Sequence, residues 1–228
     1  MTRRTNARVA GFTFLFYIAV ALTGMVLSNR ASSGEGTAAK LAGIAQHVSE
    51  VRVAIVLELL GCFSALVLAV TLYAITRDQD PDLAMLAMTC RVAEGVIGAV
   101  SLPRMLGRLW LATAAGPDAP DPAAANALGA VLLKVPSWNT TLGATFFAVG
   151  STLFAYLLLR GRMVPVALAG LGLLASILVV VVLPLQLVGV AHGPITDVIW
   201  FPMLAFEVLL ALWLIFKGAA MPPQRQSA

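Results

Sequence analysis

The chain is 228 residues long, 60% hydrophobic and only 11% charged, whereas a water-soluble domain carries about 25% charged residues and needs them to cover its surface. That balance excludes an ordinary soluble domain and requires the bilayer to solvate most of the exterior. The formal net charge of +4 is scattered along the chain and not gathered into a stripe, which excludes a nucleic-acid-binding surface and makes the positive residues topology signals.

Arg3, Arg4 and Arg8 lead into an apolar run over residues 9–27. This run is longer than a secretory signal core of about 7–15 residues, and Ser28-Asn29-Arg30 is a poor cleavage site. An uncleaved first span is expected over residues 8–28. Residues 29–50 are polar, then mildly amphipathic from Thr37 onward, and are expected as an outer loop with a short interfacial helix.

The second and third spans are expected over residues 51–75 and 83–102, joined by the short connection 76–82 into a tight antiparallel pair. Residues 103–137 are expected as a second outer loop. Its Gly-Pro-Asp-Ala-Pro-Asp-Pro stretch at 116–122 cannot continue a helix. Residues 123–135 read as a short helix with Leu128, Val131, Leu132 and Val135 on one stripe, ended by Pro136. Such a helix is interfacial or re-entrant, since about 13 residues cannot cross the hydrocarbon.

Residues 138–159, 164–188 and 197–216 complete the set. The expected architecture is all-α: one polytopic membrane helix bundle over residues 1–228, with about six transmembrane helices. One side then carries Arg3, Arg4, Arg8, Arg77, Arg160, Arg162, Lys217 and Arg225. The other carries Arg30, Lys40, Arg52, Arg104, Arg108 and Lys134, and the short connection 189–196 has no Lys or Arg. Positive charge accumulates on the cytoplasmic side, so both termini are expected there. Trp110, Trp138 and Trp200 fall at outer boundaries, as an aromatic belt requires.

An ionisable residue deep in a membrane helix is costly unless paired or hydrated, so each one asks for an explanation. Glu58, Arg91, Glu94 and Glu207 are in that position. At 1.5 Å per residue, Glu94 lies roughly 16 Å from the inner end of its span and Glu207 roughly 15 Å from the outer end of its own. Both are near the midplane of a core ~30 Å thick. Arg91 precedes Glu94 by three residues and shares its helix face. Glu58 enters from the outer side to about 10 Å. All four are expected in one slab, facing the bundle interior.

One guanidinium cannot pair singly with three carboxylates. Arg91 can hold one carboxylate bidentately, and among the others at least one, desolvated beside like charge, is expected to carry a proton. The cluster is therefore a candidate proton carrier or a receptor for a cation, an amine or another small molecule. The alternative is an Arg–Glu clamp that fixes helix packing, each polar contact contributing about 0.6 kcal/mol.

The remaining polar residues point nowhere definite. Cys62 and Cys90 lie in apolar runs without a CxxC spacing or a partner His, and read as buried thiols. His47 and His192 lie outside the spans, so no metal or other cofactor is expected. No Ser–His or Cys–His pairing is evident, which speaks against an enzyme. An intramembrane enzyme would have to use a protonated Glu as general acid on a lipophilic substrate.

Two strings carry a family likeness. Cys90-Arg91-Val92-Ala93-Glu94 is one, and Trp200-Phe201-Pro202-Met203 running into Phe206-Glu207-Val208-Leu209-Leu210 is the other. With Ala7-Arg8-Val9-Ala10-Gly11 and Leu157-Leu158-Leu159-Arg160, they resemble the bacterial membrane family known as domain of unknown function 4386. The resemblance implies a bacterial plasma-membrane protein of six or so helices and supplies no activity. The residues that carry it, Arg91, Glu94 and Glu207, are those that depth alone singles out. Three functions follow: small-molecule or proton-linked binding and transport through the cluster, a structural or accessory membrane subunit, and, third, the intramembrane enzyme.

Overall fold

A computed structural model describes residues 2–117 and 119–220, with only the backbone described at residues 135–137 and 195. The chain forms helices α1 (Arg3–Ala31), α2 (Gly36–Gln46), α3 (Val48–Thr76), α4 (Pro81–Thr113), α5 (Pro122–Arg160), α6 (Val166–Leu187), α7 (Ile195–Val198) and α8 (Trp200–Phe216). No strand occurs among the described residues. Among the described residues six helical segments are long and apolar enough to cross a membrane: α1, α3, α4, α5, α6 and Thr196–Phe216, which ends in α8. The protein is an all-α, multi-pass membrane helix bundle.

Local chemistry sets the helix starts. Asp80 accepts a hydrogen bond from Leu83 N at 3.2 Å, and Pro81 occupies the first turn of α4. Asp121 accepts from Ala123 N and Ala124 N, both at 2.9 Å, ahead of Pro122 in α5. Each caps otherwise unpaired N–H groups, and proline sacrifices no bond at that position. Large apolar side chains such as Phe12, Phe63, Leu174 and Phe216 stand exposed on the outside, which is stable only against lipid.

The spans close into a ring. α1 packs on α3, α3 on α4, α4 on α5, α5 on α6, α6 on α8, and α8 returns to α1. Short connections make sequence neighbours into spatial neighbours running in opposite directions. Phe14, Leu68, Leu72, Phe154, Val179 and Phe206 belong to the core so enclosed. One face of the ring gathers the described N-terminal residues, both short connections and the end of the described chain. Arg3 pairs with Asp78 at 3.4 Å, Arg160 with Asp80 at 3.2 Å, and Ala220 N bonds Met163 O at 2.9 Å. Arg225 lies outside the described residues.

The outer ends of α4 and α5 depart from the expectation. No loop spans residues 103–137: α4 continues through Pro103 to Thr113, and α5 runs unbroken from Pro122 to Arg160. The expected short helix 123–135 and the span 138–159 are one helix. An internal proline costs about 3 kcal/mol through its missing N–H and its clash with the preceding turn. Here the extensions pack on each other and on α2, which offsets that cost. Leu132 lies beside Gly107, and Thr37 and Leu41 of α2 seat on Gly129. At 1.5 Å per residue α4 is about 50 Å long and α5 about 58 Å, so both overreach a hydrocarbon layer of ~30 Å.

Candidate functional site

α4 carries Arg91 into the middle of the ring, where it is 1% exposed. Two neighbouring helices make room for it. Gly150 of α5 has no side chain, so that helix approaches the Arg91 stem closely; a Cβ there would stand 3.1 Å from Arg91 Cγ. The guanidinium carbon lies 4.8 Å from the ring centroid of Phe147 on α5 and 5.8 Å from that of Tyr17 on α1. These are cation–π distances, and the contact gains strength where water is excluded. Phe147 in turn meets Trp200 of α8, with ring centroids 6.2 Å apart.

Glu94, one turn along α4, places Oε2 at 3.0 Å from Arg91 Nη1. Its other oxygen accepts a 2.7 Å hydrogen bond from the Tyr17 hydroxyl. The ion pair is close but poorly aligned: Nε, Nη1 and Nη2 of Arg91 and Oε2 of Glu94 make no directed hydrogen bond. Attraction between the two is therefore mainly Coulombic, since hydrogen bonds weaken steeply off-axis. Glu207 comes from α8, is 6% exposed, and its Oε1 also lacks a partner.

Arg91 and Glu207 line a common cavity with Ser151, Phe14, Phe206 and Leu210. The cavity measures only ≈10 Å³, about the room a single water needs and far below the ~300 Å³ of a small-molecule site. A larger recess of ≈380 Å³ opens at the face bearing the N-terminal residues, lined by Arg3, Asn6, Ala74, Arg77 and Asp78. It is not part of the buried cluster.

Arg91, Glu94 and Glu207 thus come together as the depth argument expects, and Glu58 does not. Glu58 is exposed, at the seam between α3 and α4. Its Oε1 and the Cys62 sulfur lie next to Gly98, and the Cys62 carbonyl lies next to Gly95. Gly98 offers no side chain beside the carboxylate, which stays exposed at the seam although its depth matches. Tyr17 and Phe147 are site residues that the sequence reading passes over. Tyr17 lies roughly 21 Å from the start of α1 and Glu94 roughly 20 Å from the start of α4, so the same depth arithmetic puts its hydroxyl level with the carboxylate. Phe147 carries no such signal, because a phenylalanine in a membrane helix is unremarkable until a cation lies on its face.

The family described as Domain of unknown function (DUF4386) matches residues 9–218. The chain belongs to that family. No curated protein and no solved structure matches the chain.

Proposed function

We propose that this family member is a proton-binding, proton-linked protein of the bacterial plasma membrane, with both termini in the cytoplasm. Its proton site is the Arg91–Glu94–Glu207 cluster. One observation carries the reading: carboxylates from two different helices accompany a single guanidinium inside the ring, beside a cavity no larger than a water. With one carboxylate ionised the cluster is neutral. With both ionised the apolar core holds an uncompensated charge, which is strongly unfavourable. Binding and release of one proton switches between these states. Arg91 is drawn to whichever carboxyl is ionised, so proton loading biases how α8 sits against α4, and a ligand that prefers one arrangement shifts the population. The small cavity favours a proton over a small molecule as the ligand.

The test is proton flux in proteoliposomes with a trapped pH dye under an imposed potassium diffusion potential, combined with infrared detection of carboxylic-acid bands. Flux that is lost in Glu94→Gln or Glu207→Gln supports the reading. Wild-type liposomes no faster than protein-free ones, with carboxylic-acid bands constant across pH, overturn it. A discrete co-purified mass in native mass spectrometry that vanishes in Glu94→Gln would instead identify a small-molecule ligand.

A second reading is favoured by the seclusion of Arg91, 1% exposed against two aromatic rings. In it the protein is a structural or accessory subunit and the cluster only fixes helix packing. Glu94→Gln would then lower thermal stability and leave flux at the protein-free level in both forms.

A further inference from the structure

A second group of charges lies at the opposite end of α4. Arg104 and Arg108 are four residues apart, share one helix face and are both partly buried. Like charges so placed repel each other. Neither has a carboxylate partner among the described residues, and the Nε of each is buried without an acceptor. Arg104 Nη2 donates to Ser101 Oγ at 3.0 Å, and Asn139 Nδ2 of α5 reaches the same oxygen at 2.6 Å while also bonding Ile97 O at 2.8 Å. The Arg104 end is therefore held in a fixed polar node between two helices.

The level of this node is informative. From Pro81, Arg104 lies roughly 35 Å and Arg108 roughly 41 Å along α4. The hydrocarbon core is ~30 Å thick and the bilayer with headgroups ~40–45 Å. Since α4 begins beside the Asp80–Arg160 pair at the other surface, the two arginines stand at headgroup depth. Trp138, adjacent to Asn139, is 53% exposed, and Trp110, just past Arg108, is 55% exposed. Exposed tryptophans mark that same level.

We propose that Arg104 and Arg108 form a seat for a phosphate group at this membrane surface. A phosphate relieves the repulsion of the pair and supplies acceptors for guanidinium N–H groups, which match its oxygens in a fork that a lysine cannot reproduce. A lipid headgroup presents a phosphate at this depth; a soluble phosphate would have to enter from outside.

The experiment measures the unfolding midpoint of the full-length protein in detergent against added short-chain phosphatidylglycerol and, separately, inorganic phosphate. Wild type is compared with Arg104→Gln/Arg108→Gln and with Arg52→Gln, which removes an exposed charge elsewhere on the same side. The expected result is a stabilising shift with phosphatidylglycerol in wild type and Arg52→Gln. In the double variant the half-maximal concentration rises at least about tenfold, as loss of charge-assisted bonds implies. A shift with the lipid alone identifies a headgroup seat, and an equal, arginine-dependent shift with inorganic phosphate identifies a soluble anion seat. If the double Gln variant does not fold, Arg104→Lys/Arg108→Lys keeps the charge, loses the fork, and is read in the same way. Equal shifts in wild type and the arginine variants, or no shift with either compound, overturn the proposal.

Discussion

The Tyr17 hydroxyl donates a 2.7 Å hydrogen bond to Glu94 Oε1, joining α1 to α4 in the middle of the ring. This bond engages the Glu94 oxygen that Arg91 does not meet, so one carboxylate oxygen faces a neutral donor and the other a cation. Tyr17→Phe preserves the ring against Arg91 and deletes only the hydroxyl. A buried acceptor left unpaired costs about 1–3 kcal/mol. The variant is expected to fold with a lower melting temperature in detergent, and an unchanged midpoint would show that the bond contributes nothing to stability.

Arg91→Leu is expected to be the most damaging single substitution in the cluster. It leaves Glu94 and Glu207 buried together without a cation, and breaking a buried pair from one side costs about 3–5 kcal/mol. Glu94→Gln keeps a group that can accept from Tyr17 and leaves Glu207 to balance Arg91. Expression yield and thermal midpoint should fall in the order wild type, Glu94→Gln, Arg91→Leu. Equal losses would count against the uneven charge balance as the organising feature.

Glu58→Gln, by contrast, should behave as wild type in folding and in proton flux. Glu58 is exposed at the α3–α4 seam beside Gly98 and forms no ion pair with Arg91 among the described residues. If Glu58→Gln abolishes flux while Glu207→Gln does not, the proton path follows the seam and not the ring interior.

Two glycines of α6 predict opposite outcomes for the same change. A Cβ at Gly172 would collide with the Phe206 ring of α8, whereas a Cβ at Gly170 meets nothing. Gly170→Ala should be neutral or stabilise by up to about 1 kcal/mol through helix propensity. Gly172→Ala should destabilise by about 1–3 kcal/mol, since overpacking displaces a well-fitted side chain. Thermal melts of the two variants side by side check the contrast. Phe206 also lines the small cavity, so Gly172→Ala should disturb the surroundings of Glu207.

Much of this protein is determined by its sequence alone. With 11% charged residues and long apolar runs, membrane-spanning helices are the only way to satisfy both the side chains and the backbone. The starts of α4 and α5 are written in Asp80-Pro81 and Asp121-Pro122, because capping is local chemistry. Depth is legible too, since it depends only on rise per residue and bilayer thickness. For that reason Arg91, Glu94 and Glu207 stand out before any neighbour is known.

The direction each residue faces was decided by the tertiary structure. Glu58 matches the others in depth but stays exposed at the α3–α4 seam, where Gly98 presents no side chain beside it. Tyr17 joins the buried cluster only because α1 closes the ring beside α4. Likewise α4 and α5 run on past their prolines because each extension finds the other, with α2 alongside. Depth is a property of one helix, whereas facing and length beyond the bilayer depend on packing partners far away in the chain.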